Sequence, residues 1–565
     1  MISERIKLLR KKFIINKIDG YIIPKNDEFF GEYSNQDRLK TISNFDGSAG
    51  LAIILKDKNF LFVDGRYTIQ AKKQSGKNFK IIEIHKFLPY KIIKNLNIGF
   101  DPTLFTEKQL KVYFNNLSTL KPISENLIDE IYKKKITISK PFFSLNKKIT
   151  GESHISKIKK IVKKMEMHKA DYIFISAPEN VAWLLNIRGH DNPNSPIPNC
   201  RMIIGRKNGI FLFVNKKKVS KIIKEKKLNS CKIIKPDNFE TVVKNLKGQK
   251  FIIDPLTCSI KNENIIKSKF KIILKNDPCY KLKSVKNSAE IKNMINAHIE
   301  DGVALTKFIF WIKYKNKKKI TEMDAEKKLE KFRKMNKNYL FPSFNTIAGT
   351  GSNGAIVHYR ATKTSNKVIK KKDIFLCDSG GQYNFGTTDV TRTICFSRQK
   401  NSIKNIFTKV LKGHIAVVTT NINKFNKGKQ IDIRARQFLK KDGLDYAHGT
   451  GHGVGFFLNV HEGPQSISKY NSVKLEEGMV ISNEPGYYKK GHFGIRIENL
   501  VFIKKHNKNL NFENLTLAPI EKDLINFDLL NKKEKEYLFK YHLNVYAKIS
   551  KFLNKEEKKW LANLI

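Results

Sequence analysis

The sequence predicts a mixed α/β protein of several domains, with two related α/β domains in the N-terminal half and a third domain rich in strands and turns. Three observations carry this. The chain has 565 residues, 40% of them apolar, which is ample for three or four separate cores at roughly 150 residues each. Short apolar strings in the first half recur at a fixed offset. After Pro278 the texture changes to amphipathic stretches and then to Gly-rich strand and turn patterns.

The repeat is read from matching anchors. Tyr21-Ile22 returns as Tyr172-Ile173, and FLFV at Phe60 to Val63 returns at Phe211 to Val214, both 151 residues later. In each copy an apolar run, AIIL from Ala52 or MIIG from Met202, leads through a polar turn into FLFV, the pattern of a β-hairpin. Asp101-Pro102 and Asp254-Pro255 follow at similar places. A Lys-rich stretch with helical spacing precedes each copy, around Ile6 to Ile15 and Ile155 to Met165. The expected division is a duplicated domain over 1–150 and 151–283, a third domain over 284–505 and a C-terminal extension over 506–565. Within the third domain, helices are expected from Ser288 to Lys313 and from Glu322 to Met335, and a closing helical segment from about Lys532 to Leu564.

Composition narrows the class of function. The formal net charge is +56, yet only 14 of the 108 basic residues are arginine, and the lysines are scattered from Lys7 to Lys559. Arginine is the usual bidentate reader of guanine and phosphate, so this is a lysine-rich background and no dedicated nucleic-acid partner is expected. The six cysteines are far apart with no C-x-x-C pair, as in reduced thiols of a cytoplasmic protein. The opening MISERIKLLRKKF lacks the apolar core of a signal peptide, and no run approaches the roughly 20 apolar residues of a membrane span.

The chemistry concentrates between His358 and Glu498. Five of the 13 histidines (His358, His414, His448, His452 and His461) fall between 358 and 461, among carboxylates and glycines. DIFLCDSGGQYNFGTTDVTRTICF from Asp373 reads as strand, turn and strand, which sets Asp378 and Asp389 on facing strands. GMVISNEPGYYKKGHFGIRIENLVFI does the same for Glu484 and Glu498. Four ionised carboxylates in one buried pocket repel each other and lose hydration, and two divalent cations cancel their charge. One imidazole from HGTGHGVG, with His452 the best placed, completes an oxygen-rich set that suits Mn²⁺ better than a structural Zn²⁺ site.

Longer motifs in the same order resemble a known family. They are GYIIPKNDEFFGEY, NFDGSAG and VDGRY in the first domain, VAWLLNIRG in the second, and KNSAEI, GSNGAIVHY, DSGGQY, TTDVTRT, HGTGHGVG, NVHEGP, NEPGYY and GIRIEN in the third. Together they resemble the long, three-domain form of aminopeptidase P, the Xaa-Pro aminopeptidases among the pita-bread metallopeptidases. The resemblance implies an α/β (α+β) fold: two creatinase-like N-terminal domains, then a pita-bread catalytic domain. It implies a hydrolase that frees an N-terminal residue when proline is second, through a hydroxide shared by two metals. The metal ligands then fall on Asp378, Asp389, His452, Glu484 and Glu498, with Asp389 and Glu498 bridging. The catalytic residues are Glu484, His358 and His461, and the substrate is met by His358, His448, His461 and Arg496. Two Mn²⁺ per chain, with Co²⁺ or Zn²⁺ as substitutes, and a homodimer are implied as well. The rival readings are prolidase, which shares the ligands but cleaves dipeptides only, and a non-catalytic pita-bread protein used for binding.

Overall fold

The computed structural model describes residues 1–33, 36–132, 140–207, 209–316 and 318–565. The chain forms two compact units, Met1–Tyr280 and Lys281–Ile565.

The first unit holds two six-stranded sheets. Helix α1 (Ile2–Asn16) lays Ile6, Leu9 and Phe13 against the first sheet, whose strands are β1 (Gly20–Pro24), β2 (Gly50–Leu55), β3 (Asn59–Val63), β4 (Lys80–Glu83), β5 (Asn97–Phe100) and β6 (Thr119–Pro122). Helix α2 (His154–Met167) introduces the second, built from β7 (Tyr172–Ile175), β8 (Arg201–Gly205), β9 (Ile210–Phe213), β10 (Cys231–Ile234), β11 (Lys250–Ile253) and β12 (Lys271–Leu274). The spatial orders are β4-β3-β2-β1-β5-β6 and β10-β9-β8-β7-β11-β12, the same path through space twice. In each, an antiparallel hairpin (β2 with β3, β8 with β9) joins outer strands paired in parallel. Central strands are buried on both faces, which is why they read as unbroken apolar runs rather than alternating ones.

The second unit is a layered α+β structure. Helix α3 (Ser288–Phe310), continued as a wider turn over Trp311–Lys315, and α4 (Glu322–Lys334) precede strands β13 (Tyr339–Pro342), β14 (Ile347–Thr350), β15 (Ile374–Ser379), β16 (Gly381–Tyr383), β17 (Gly386–Thr387) and β18 (Val390–Cys395). Helices α5 (Asn401–Val418) and α6 (Gly428–Lys440) lead into β19 (Gly451–Gly453), β20 (Glu462–Ile467), β21 (Val480–Asn483), β22 (Gly486–Lys489), β23 (Phe493–Arg496), β24 (Asn499–His506) and β25 (Asn509–Asn514). The larger sheet runs β20-β19-β21-β24-β25, and β15 sits between β14 and β18 in a second. The closing helical segment is two helices, α7 (Lys532–Ile549) and α8 (Lys555–Ala562). The break has a local cause: Asn554 caps α8 by accepting from Glu557 N–H while the Glu557 carboxylate accepts from Asn554 N–H, which starts a new helix. Among the described residues no helix is long and apolar enough to cross a membrane.

Candidate metal centre

Two strand pairs bring the four carboxylates to one place. β15 and β18 run antiparallel with Asp378 opposite Thr391 and Ser379 opposite Val390, so Asp389, just before β18, stands at the Asp378 end. β21 and β24 pair with Asn483 opposite Asn499, which sets Glu484, just after β21, beside Glu498, just before β24. β19 brings His452 alongside β21, Gly453 lying opposite Ile481. The approach is close enough to require glycine: a Cβ on Gly451 would lie 1.8 Å from the Ser482 carbonyl oxygen.

The tautomer of His452 follows from its neighbour. Its Nδ1 lies 2.9 Å from the Gly453 carbonyl, which can only accept, so Nδ1 carries a proton and Nε2 is the nitrogen left for a metal. Nε2 faces Asp389 Oδ2 at 3.4 Å and Glu484 Oε1 at 3.6 Å. Burial opposes charge on the ring, yet Asp389 and Glu484 hold its pKa up at about 9, so a positive charge among these groups is strongly favoured. The carboxylates show the same strain. Burial, with repulsion from Asp389 and Glu484 added and Arg496 opposing, pushes Asp378 up to about 7. Glu484 and Glu498 are likewise raised by burial and by neighbouring carboxylates, Glu498 most strongly.

This donor set fits divalent cations. Ligand atoms of Asp389, His452 and Glu498 all lie within 4.8 Å of one another. Asp378 Oδ1 is buried and has no hydrogen-bond partner among the described residues, as expected of an oxygen that would meet a metal. Cys395, Glu521 and Asp523 also cluster, but there the Lys313 ammonium, 2.7 Å from both Glu521 oxygens and 3.0 Å from Asp523, already serves as the cation.

Neighbouring hydroxyls and a guanidinium orient the side chains of this centre. Thr391 Oγ1 donates to Glu498 Oε2 at 2.7 Å and accepts from Arg496 Nε at 3.0 Å. Arg496, 1% exposed, also bonds Asp378 through Nη2 and donates from Nη1 to the Tyr488 hydroxyl at 2.6 Å. The Tyr488 hydroxyl in turn donates to His448 Nε2 at 2.8 Å, because His448 Nδ1 spends its proton on the Gly449 carbonyl. Ser482 Oγ donates to Glu484 Oε1 at 3.1 Å and accepts from His452 N–H at 2.9 Å.

The remaining nominated histidines divide. The His461 ring stands 4.4 Å from that of His452, nearly perpendicular, and is half-buried. His358 is half-buried in the loop between β14 and β15, whose first turn packs on β23: a Cβ on Gly494 would lie 1.8 Å from the Gly354 carbonyl oxygen. His414 is a fully buried core residue 3.1 Å from the Asn483 carbonyl, its pKa pushed down to about 3 by burial.

Sequence reasoning passed over Thr391, Tyr488 and Ser482, although all three lie in or beside the motifs that nominated the ligands. It also missed a buried set with no local signal. Arg333 on α4 pairs with Asp301 on α3 at 2.8 Å, Tyr383 donates to Asp301 at 2.7 Å, and Arg333 reaches Ser379 Oγ, next to Asp378, at 3.1 Å.

Comparison with known proteins covers the whole chain. Residues 292–505 match metallopeptidase family M24, and 508–564 match the C-terminal region of that peptidase family. Residues 5–131 and 133–290 each match the creatinase/prolidase N-terminal domain. The chain is 36% identical to a probable Xaa-Pro aminopeptidase P of Laccaria bicolor, over 99% of this chain and 92% of the relative. It is equally identical to Xaa-Pro aminopeptidase 1 of Dictyostelium discoideum, over 100% of this chain and 96% of the relative. The crystal structure of an X-prolyl aminopeptidase from Caenorhabditis elegans, a cytosolic enzyme with a di-nuclear active site, superposes with a TM-score of 0.93 at 29% identity, covering 100% of this chain and 99% of its own. A prolidase from Pyrococcus horikoshii, at 26% identity and a TM-score of 0.52, covers only 65% of this chain and 99% of its own.

Proposed function

Because this chain belongs to metallopeptidase family M24, we propose that it is an Xaa-Pro aminopeptidase, a hydrolase that releases the N-terminal residue of a peptide whose second residue is proline. The carrying observation is His452 Nε2 set against the oxygens of Asp389 and Glu484, with Asp378 and Glu498 beside them. The prolidase reading is less well supported, because relatives named as aminopeptidases match end to end while the prolidase fold accounts for two-thirds of the chain.

Asp378, Asp389, His452, Glu484 and Glu498 would hold two divalent cations, Mn²⁺ for preference and Co²⁺ or Zn²⁺ as substitutes. Bound there, the cations polarise the scissile carbonyl and make a water nucleophilic near neutral pH. The protein residues do the rest. Glu484 is the most exposed of the four carboxylates, its side chain 18% exposed against 10% for Asp378 and 6% for Asp389, with Glu498 buried, so it is the group a water can reach. It takes the proton of the attacking water as the new C–O bond forms, and returns it to the proline nitrogen as the C–N bond breaks. His358 and His461 donate hydrogen bonds to the developing oxyanion and the leaving nitrogen. His448 shapes the proline side, and Arg496, fully bonded behind the ligands, acts there through Tyr488.

Proline needs such an enzyme because its tertiary amide offers no N–H for a general protease to grip. We assign residues 1–150 and 151–283 to the two N-terminal domains, 284–505 to the catalytic domain and 506–565 to the extension. The six thiols are unpaired, five of them buried, which favours a reducing compartment such as the cytoplasm. A homodimer is the expected assembly, measurable by analytical ultracentrifugation.

The test is hydrolysis of Xaa-Pro-Xaa tripeptides, Xaa-Pro dipeptides and Xaa-Ala-Xaa controls, with Mn²⁺ supplied and then chelated. Metal-dependent cleavage of the first set at its first bond is expected. Preference for dipeptides would restore the prolidase reading, and equal cleavage of alanine peptides would reject proline specificity.

A further inference from the structure

Glu322 is an unusual residue for its position. It opens helix α4, where a negative charge suits the helix N-terminus, yet its side chain is wholly buried and meets no basic group among the described residues. Instead it accepts five hydrogen bonds from the segment 350–367. Thr350 N–H reaches Oε1 at 2.8 Å and Lys367 N–H reaches Oε2 at 2.9 Å, so one carboxylate ties both ends of that loop. Asn353 Nδ2 spans both oxygens at 3.1 and 3.0 Å, and the Tyr359 hydroxyl donates to Oε2 at 2.8 Å. Asn353 also donates to the Tyr359 hydroxyl at 2.9 Å, closing the network.

The loop so fastened carries His358, the residue directly before Tyr359, and its first turn packs on the β23 strand that bears Arg496. A segment of this length with a single short 3₁₀ turn, Gly351–Asn353, has many conformations to lose, and the catalytic use of its histidine needs only one. A buried carboxylate with no counter-charge is costly, and four donor groups making five hydrogen bonds are what makes it tolerable. We propose that Glu322 is a positioning residue of the peptidase: it fixes the 350–367 loop so that His358 faces the scissile bond. The inference rests on the substrate-side role of His358 given above.

Glutamine at 322 would aim an amide N–H₂ at donors that cannot reverse, namely Asn353 Nδ2 and the backbone N–H groups of Thr350 or Lys367. The experiment is a double-mutant cycle on the Mn²⁺-loaded full chain with a Xaa-Pro-Xaa peptide, using Glu322→Gln, His358→Ala and the pair. The expected result is a loss of about 10- to 100-fold in kcat/KM for Glu322→Gln alone and less than about 3-fold further loss in the His358→Ala background, with bound metal per chain unchanged. Independent, multiplying losses would overturn the proposal, as would loss of bound metal or full activity of Glu322→Gln. A neutral His358→Ala would remove both the role of His358 and the positioning role, whereas a costly but uncoupled His358→Ala would remove only the latter. Should Glu322→Gln fail to fold, Tyr359→Phe deletes a single donor, and its smaller loss is expected to vanish in the same background.

Discussion

Thr391 bears on the metal centre without offering it a ligand. Its hydroxyl donates to Glu498 and accepts from Arg496, so it fixes both the Glu498 carboxylate and the guanidinium that holds Asp378. Thr391→Val keeps the shape and removes both bonds, and outer-layer partners of this kind are worth about 10- to 100-fold in metal affinity. Titration calorimetry with Mn²⁺ on the metal-free variant is expected to show that weakening, with the fold intact by circular dichroism. An unchanged affinity would mean that Glu498 needs no such support. Asp389→Ala should be more severe, because it removes a carboxylate from the centre of the cluster with His452 and Glu498: elemental analysis is expected to find bound metal lost and activity at background.

Elements differ in how far their sequence announces them. The central hairpin of each sheet in the first unit could be read because its strands are apolar runs joined by a polar turn, and the FLFV strings mark the same strand, β3 and β9, in both. The ligand hairpins were readable for the same reason, since a carboxylate at each end of a short strand–turn–strand needs no distant partner. What escaped was side-chain pairing across distance. Nothing near Asp301 forecasts Arg333, and nothing near Arg392 on β18 forecasts its bonds to the Ala518 and Pro519 carbonyls and the Tyr541 hydroxyl on α7. Helix α7 also places His542 beneath that region, where neutral Nε2 accepts from Ile520 N–H at 3.1 Å. Burial, aided by the positive charges of Arg392 and Lys522, pushes the ring pKa down to about 4. The unfolded chain, with an ordinary pKa near 6.5, therefore binds the proton first as pH falls. Stability from the neutral ring is complete above that value and is lost down to about pH 4, a swing of order 3 kcal/mol. His542→Gln retains an acceptor and does not titrate, so thermal melts between pH 7 and pH 4.5 are expected to fall less steeply than in the parent. Equal slopes would show that the His542 ring titrates in the folded protein as it does in the unfolded chain.

At the scale of the whole molecule, the +56 charge and the four-carboxylate centre act in opposite ways. The centre is buried and local, with partners a few ångströms apart, so salt screens it little. The excess lysines are mostly solvent-facing and their mutual repulsion is long-ranged, which is the part of the electrostatics that counter-ions remove. Raising NaCl from about 10 to 200 mM should therefore raise Tm by a few degrees while leaving Mn²⁺ affinity nearly unchanged. The same reasoning covers polyanions. A surface carrying scattered ammonium groups attracts phosphate without reading it, so retention on DNA should be sequence-independent and should collapse over that salt range. Direct binding measured at several ionic strengths separates this from a true nucleic-acid function, because a built interface would keep nanomolar affinity for one sequence at 200 mM salt and a lysine background would not.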